Sequence, residues 1–211
     1  VIALAKQTGA KVFFPQSFLV YDGKVLPITE EVEPKPLSTY GKLKLEAENM
    51  LVSELPETLV VRMAGFFGGR EVDKNFVGKF VPHIAGLMKK GIDSIDIGDR
   101  VWQPTYTNDL AYNILALLAQ DAKGVYCMAS AGEASFFELS SRIVSILGIS
   151  NSFHVKPVSA AAVSGKEKAL RPEKAIIENK RLKQEGLDRQ RSWEDGIREY
   201  LNQPYFKNLF S

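Results

Sequence analysis

The chain has 211 residues, of which 45% are hydrophobic and 25% are charged. These values are typical of a folded globular protein and exclude an intrinsically disordered one, which combines low hydrophobicity with high net charge. The formal net charge is only +2, from 27 basic and 25 acidic residues without a long block of one sign, so the charge favours neither nucleic acid nor an anionic membrane as a partner.

Cysteine and histidine are too scarce for a disulfide framework or a metal site. The single cysteine, Cys127, has apolar neighbours and indicates a buried strand thiol in a reducing compartment, so we expect a cytoplasmic protein. No carboxylate or cysteine stands at ligand spacing from His83 or His154, and we expect no metal. The sequence opens at Val1 inside what reads as a helix, and we expect further N-terminal residues to precede it.

The first third of the chain alternates between helical and strand patterns. In order, the residues predict a helix that ends at Gly9, an apolar strand Val12-Phe13-Phe14, a polar loop from about Asp22 to Pro36, a helix from about Tyr40 to Leu55, and a continuous apolar strand Leu59–Met63. Leu43, Ala47, Met50 and Leu51 mark the predicted buried face of the second helix. Strand, helix and strand in succession form the unit of a parallel sheet covered on both faces.

The remaining residues predict an α/β fold with an appended lobe that covers a ligand. After a glycine-rich loop at 65–69, the pattern predicts a helix from about Asn75 to Lys90, a strand Ile92–Ile97, a helix from Thr107, a strand Gly124–Met128, and helices after the capping patterns at Ser135 and Ser192. The segment from about Phe153 to Lys174 is predicted to be irregular.

Tyr40, Lys44 and Ser17 form a candidate catalytic set. Tyr40 and Lys44 lie four residues apart on a predicted helix, so their Cβ atoms are about 5 to 6 Å apart on one face. A nearby ammonium stabilises a phenolate, so the pair can pass a proton to a carbonyl oxygen that receives hydride. Ser17 stands at the C-terminal end of the strand that begins at Val12, the edge at which open α/β sheets bind ligands. The alternative is that Lys44 is only a solvated helix residue.

These motifs resemble those of one enzyme family. Ser17, the segment Tyr21-Asp22-Gly23 and the spacing Tyr40-x-x-x-Lys44 are similar to the motifs of the extended short-chain dehydrogenases/reductases, the NAD-dependent epimerase/dehydratase superfamily. The sequence is most similar to dTDP-4-dehydrorhamnose reductase and its sugar-nucleotide-binding relatives. Pro104-Thr105 and Asp109-Leu110-Ala111 continue the resemblance, which covers nearly the whole chain.

The resemblance implies a fold and a domain organisation. The fold would be a Rossmann-like, doubly wound parallel sheet, represented by its later strands only, with a small C-terminal substrate-binding lobe. Residues 1–70 would be the C-terminal part of the dinucleotide-binding domain. Residues 71–211 would form mainly the substrate-binding lobe, with segments that return to the sheet.

The resemblance also implies a reaction and a set of contacts. An NAD(P)-dependent oxidoreductase of this kind reduces a 4-keto-deoxy nucleotide sugar, as in dTDP-rhamnose biosynthesis; Tyr40 donates the proton, Lys44 binds the ribose and Ser17 bonds the substrate oxygen. The cofactor, NADP or NAD, would contact Tyr40, Lys44, Arg62 and Gly65. The implied substrate contacts are Ser17, Phe18, Asn75, Phe76, Trp102 and Arg171. The alternative interpretation of Trp102 is a core residue, and that of Arg171 is an exposed residue at a helix end.

Departures from the family pattern keep two alternatives open. Phe18 stands where the reductase has Asp, Arg100 aligns with its Gln, and the sequence has no Gly-x-x-Gly-x-x-Gly run to bind a pyrophosphate. The first alternative is an epimerase or dehydratase of the same superfamily. The second is a non-catalytic relative, similar to the NADP-binding regulatory subunit of methionine adenosyltransferase. As a further partner, the resemblance implies a homodimer formed through the helix of Tyr40 and Lys44 or its neighbour.

Overall fold

The computed structural model describes residues 1–159 and 170–210. The described residues separate into two compact units. The first unit contains those within Val1–Gly65, Leu110–Ala129 and Ala169–Gln190, and the second unit contains those within Phe66–Asp109, Ser130–Lys168 and Arg191–Ser211.

A three-stranded parallel sheet forms the centre of the first unit. Its strands are β1 (Phe13–Ser17), β2 (Leu59–Met63) and β7 (Gly124–Met128), in the order β1-β2-β7. The register aligns Ser17 with Met63 and Met63 with Met128, so all three strands end at the same edge. The predicted α/β class with parallel strands is confirmed, and β1 ends at Ser17, as the sequence predicts.

Helices cover both faces of this sheet. The helices of the first unit are α1 (Ile2–Thr8), α2 (Thr39–Glu54), most of α4 (Thr107–Ala119) and α6 (Lys180–Gln184). Alternate side chains of a strand point to opposite faces. Leu59, Val61 and Met63 of β2 pack in one cluster with Leu110 and Leu117 of α4. Arg62 points the other way and bonds Glu48 of α2, so the sheet is doubly wound.

The buried face of α2 differs from the predicted one. Leu43 is 60% exposed and Met50 is 55% exposed, so the prediction that both are buried is wrong. The buried residues are Gly41, Glu48 and Leu51, which recur at helical spacing. The apolar pattern failed here because the centre of the buried face carries a charged residue.

The second unit combines helices with short strand pairs. Its helices are α3 (Phe76–Lys89), α5 (Phe136–Ile146), α7 (Trp193–Leu201) and α8 (Pro204–Lys207). Its strands pair as β3 (Phe66–Phe67) with β6 (Thr105–Tyr106), β4 (Ser94–Gly98) with β9 (His154–Val158), and β5 (Val101–Trp102) with β8 (Ala134–Ser135). The predicted capping box of Ser135 and Glu138 is present at the start of α5. Strand β9 lies where the sequence predicted irregular structure; the rest of that prediction falls partly on 160–169, outside the described residues.

Two observations concern membranes and metals. Within 1–159 and 170–210, each helix is too short or too polar to span a bilayer. Over the same ranges, no cluster of three or more His, Cys, Asp and Glu side chains is arranged to hold a metal ion.

Close packing at Gly41 sets the position of the first turn of α2. A Cβ atom at this residue would lie 2.3 Å from the carbonyl oxygen of Leu19 and 2.9 Å from Cβ of Pro36. Any side chain here would therefore push the helix away from the 3₁₀ turn Phe18–Val20 that follows β1.

We predict that Gly41→Ala lowers the free energy of unfolding by about 1 to 3 kcal/mol, since overpacking against backbone forces the helix to shift. Gly86→Ala in α3 is the control, because a Cβ there has nothing within 4 Å. Alanine is favoured over glycine in a helix by up to about 1 kcal/mol, so this variant should be more stable than the wild type. Urea unfolding measures both changes, and a shift of the same sign in the two variants would contradict the packing argument.

Candidate functional site

The candidate site lies at the carboxyl edge of the parallel sheet, in the first unit. Ser17 is the last residue of β1 and is partly exposed. Its Oγ accepts a hydrogen bond of 3.2 Å from the amide of Leu19 and so caps the 3₁₀ turn. A hydroxyl that accepts in this way still has its own hydrogen to donate. Phe18, the next residue, begins the turn and packs partly against the core.

Tyr40 and Lys44 lie in the first two turns of α2. Ser38 caps the helix by accepting a bond of 3.1 Å from the amide of Gly41. The Tyr40 side chain is 53% exposed. The Nζ of Lys44 donates to the carbonyl oxygen of Pro15 at 2.6 Å and lies 4.1 Å from the ring centroid of Phe14. Lys44 is thereby bound to the strand that ends in Ser17.

The environment of Lys44 changes its proton affinity. Partial burial lowers the pKa of Lys44 below its usual value, because the charged form loses hydration. The carboxylate of Glu48, one turn further along α2, acts in the opposite direction. Glu48 therefore favours the charged form of Lys44.

Glu48 itself belongs to a buried ion pair with Arg62. The Glu48 carboxylate accepts from two nitrogens of the Arg62 guanidinium, Nη2 and Nε, the latter at 3.4 Å. Both side chains are almost completely buried. A third nitrogen, Nη1, donates to the hydroxyl of Tyr21 at 2.6 Å. Burial raises the pKa of Tyr21 above its usual value and that of Cys127 to about 12, so both stay neutral and Glu48 balances the charge of Arg62.

Gln16 connects this ion pair to the predicted catalytic residues. Its Nε2 donates to the carbonyl oxygen of Lys44 at 2.9 Å and to Glu48 at 2.7 Å, while its Oε1 accepts from the amide of Ser17 at 2.9 Å. The sequence prediction named neither Gln16 nor Glu48. A usable signal was present, because an arginine in the middle of the apolar strand Leu59–Met63 requires a buried counter-charge.

The predicted cofactor residues Arg62 and Gly65 also lie in the first unit. The guanidinium of Arg62 is bound by Glu48 and Tyr21, and its backbone lies in the central strand, between β1 and β7. Gly65 is partly exposed and follows Ala64, whose amide bonds the carbonyl oxygen of Met128 at 3.2 Å. Arg171 is exposed in the same unit.

Asn75, Phe76 and Trp102, the other predicted substrate residues, belong to the second unit. Asn75 is exposed at the start of α3. Phe76 and Trp102 contact the same ring, that of Phe136, at centroid distances of 4.7 and 5.0 Å. Trp102 is only 9% exposed, which is typical of a core residue, and its Nε1 has no hydrogen-bond partner within the described part of the chain.

Comparison with family models identifies the protein family of the chain. The model of the RmlD substrate binding domain family matches residues 1–206. The chain belongs to this family. A curated relative, dTDP-4-keto-6-deoxy-D-glucose reductase of Streptomyces niveus, is 32% identical over 177 residues, 82% of this chain and 58% of its own length. Methionine adenosyltransferase 2 subunit beta of Danio rerio is 31% identical over 192 residues, 87% of this chain and 57% of its own. The chain thus spans under two thirds of the length of these relatives.

Solved structures extend the comparison. A dTDP-4-dehydrorhamnose reductase of Clostridium acetobutylicum is 30% identical, with a TM-score of 0.85 over 95% of this chain and 68% of its own. The dTDP-4-dehydrorhamnose reductase of Bacillus anthracis, solved in complex with NADP, is 25% identical, with a TM-score of 0.84 over the same shares. The Rossmann-like fold and the resemblance to dTDP-4-dehydrorhamnose reductase and its relatives are confirmed.

We predict that Glu48→Ala lowers the free energy of unfolding by about 3 to 5 kcal/mol, since it leaves the Arg62 charge buried without its counter-charge. Glu57→Ala is the control: Glu57 also binds a cation, Lys123 at 2.9 Å, but this pair is exposed. Solvent screens exposed pairs, so the control should unfold at nearly the same urea concentration as the wild type. Equal losses in the two variants would contradict the importance of the buried pair.

Proposed function

We propose that the complete gene product is an NAD(P)-dependent oxidoreductase that reduces the 4-keto group of a deoxy sugar linked to a nucleotide. The observation that supports this most directly is the arrangement at the end of β1. Lys44 bonds the carbonyl oxygen of Pro15, two residues before Ser17, and Tyr40 lies exposed one helical turn before Lys44. The curated relatives named as reductases of such sugars favour this substrate class.

The donor groups of this region fit the nicotinamide riboside end of a dinucleotide. An ammonium has three hydrogen-bond donors, and the bond to Pro15 uses one of those of Lys44. A ribose hydroxyl can accept from another. Gly65 lies two residues after the end of strand β2, at the same edge of the sheet, and we propose its backbone as a further cofactor contact. The bound nicotinamide would supply the hydride.

The side chains of the site would supply the proton and hold the keto oxygen. The hydroxyl of Ser17 donates a hydrogen bond to that oxygen, and Tyr40 transfers its phenolic proton to it as the alcohol forms. The Lys44 ammonium stabilises the resulting phenolate by its charge. General acid catalysis of this kind requires the phenol to be accessible to substrate, and Tyr40 is.

For the nucleotide sugar itself we propose the contacts that the family resemblance implies. The exposed guanidinium of Arg171 suits the diphosphate, which it can bind with two parallel hydrogen bonds. Phe18 follows Ser17 and stands where the reductase pattern has Asp, so its contact with the sugar would be apolar where that of the Asp is polar. We also propose Asn75, Phe76 and Trp102 of the second unit as substrate-binding residues.

Removing one hydroxyl tests the proposal. We predict that Tyr40→Phe lowers kcat by about 10² to 10⁴-fold, because the proton donor is lost while the ring remains. The assay follows oxidation of NADPH and NADH by the complete gene product with a dTDP-4-keto-6-deoxy sugar. Tyr112→Phe is the matched control, since Tyr112 is an exposed tyrosine, 69% accessible, on helix α4 of the same unit.

The outcomes separate the alternatives. Wild-type turnover by Tyr40→Phe would contradict the role of the phenol. A protein that binds the cofactor and converts the sugar without consuming NADPH or NADH would instead be an epimerase or dehydratase. Unchanged activity in Tyr112→Phe is required for either conclusion.

A second candidate is a subunit of methionine adenosyltransferase. It is favoured by the 31% identity to the Danio rerio subunit beta over 87% of this chain, and by Phe18, where the reductase pattern has an acidic residue. Co-elution of the complete gene product with the methionine adenosyltransferase of the same organism would support this candidate. Separate elution together with sugar reduction would exclude it.

A further inference from the structure

Gln16 is a buried residue that the proposed mechanism does not use. Its side chain is only 1% exposed, and its amide bonds the residue Ser17, the helical turn of Lys44 and the Glu48 carboxylate. We propose that Gln16 is the positioning residue of the proposed reduction: it fixes the Ser17 end of β1 relative to the turn of α2 that carries Lys44. The inference rests on the proposed function.

The orientation of the Gln16 amide follows from its neighbours. A backbone amide can only donate and a backbone carbonyl can only accept. The oxygen of Gln16 must therefore face the Ser17 amide, and its nitrogen must face the Lys44 carbonyl. Both hydrogens of the nitrogen are used, one for Lys44 and one for Glu48. A side chain of the same length without this donor and acceptor pattern cannot make the same connections.

The backbone of β1 explains why Ser17 depends on this bond. The carbonyl of Val12 accepts from Leu59 of β2 at 2.9 Å. Because successive residues of a strand direct their backbone groups to opposite sides, Gln16 faces β2 and the amide of Ser17 faces away from it. The Oε1 atom of Gln16 accepts the hydrogen bond of this amide. Loss of this acceptor frees the residue that carries the catalytic hydroxyl.

The other end of the connection is rigid. Register pairs Gln16 with Arg62 across the sheet, and Glu48 bonds both. Gln16 is thus attached to a buried ion pair that cannot shift without exposing a charge to an apolar interior. Since Gln16 is uncharged, replacing it with an apolar residue changes the geometry of the site and leaves its formal charge unaltered.

We expect Gln16→Met to lower kcat by up to about 100-fold, the loss that a displacement of about 1 Å of a catalytic group can cause. KM for sugar and cofactor should change little, since the groups that bind them remain. NMR hydrogen exchange gives a second readout without cofactor or substrate. The amide of Ser17 should exchange faster in Gln16→Met than in the wild type.

Asn113→Leu is the matched control. Asn113 is also a buried amide of the first unit, donating to the Leu187 carbonyl at 2.9 Å and accepting from the Arg189 amide at 3.0 Å. Both substitutions replace a buried, hydrogen-bonded amide with an apolar side chain, so both should lower the midpoint of thermal unfolding. Measured below both midpoints, only Gln16→Met should lose kcat.

Gln16→Glu adds a pH signature. A protonated carboxyl offers one donor and one acceptor, so it can restore the bond from Ser17 and one of the other two. Once ionised, it cannot donate and repels the Glu48 carboxylate on α2, although Lys44 on α2 and Arg62 on β2 attract it. We expect kcat of this variant relative to the wild type to fall as pH rises through the titration of the new carboxyl.

The results separate the inference from the proposed function. An active wild type with unchanged kcat in Gln16→Met would overturn the positioning role, and so would equal losses of kcat in Gln16→Met and Asn113→Leu. A wild type that does not reduce the sugar overturns the proposed function. In that case the exchange rate of the Ser17 amide still decides whether Gln16 holds the end of β1, and an unchanged rate overturns it.

Discussion

The buried pair of Glu48 and Arg62 is the constraint on which the first unit depends. Each side chain would carry an uncompensated charge in the interior if the other moved away, and such a charge costs several kcal/mol. Because Glu48 belongs to α2 and Arg62 to the central strand β2, the helix can neither slide nor rotate on the sheet without breaking the pair. The first two turns of α2, with Tyr40 and Lys44, are therefore held in one register.

An apolar contact would not give the same precision. Hydrophobic packing is non-directional and tolerates small shifts, whereas two parallel hydrogen bonds between a guanidinium and a carboxylate have a defined geometry. The same carboxylate also accepts a hydrogen bond from Gln16, so the ion pair also fixes the position of the end of β1. A buried polar network of this kind, with its hydrogen bonds made, therefore specifies one arrangement of strand and helix.

The sequence predicted the parts of this arrangement that depend on local pattern. Strands 59–63 and 124–128 are continuous apolar runs buried on both faces, and their bounds agree with the structure. The paired strands β4 and β9 are half exposed and distant in the chain, so β9 has no local signal of its own. On α2, Leu51 is buried as predicted, but Leu43 and Met50 were wrongly assigned to the buried face, because Glu48 reads as a solvated residue until its partner Arg62 is known. Gln16 was missed for the same reason: its role is defined by bonds across the fold.

The bonds at the end of β1 also affect how this strand can pair. Among the strands described, β1 lies at the edge of the parallel sheet, and the residues that face outward are Phe13, Pro15 and Ser17. Proline has no N–H, the carbonyl of Pro15 is occupied by Lys44, and the amide of Ser17 is occupied by Gln16. A further strand at this side would therefore find backbone N–H groups to pair with only in the amino-terminal half of β1.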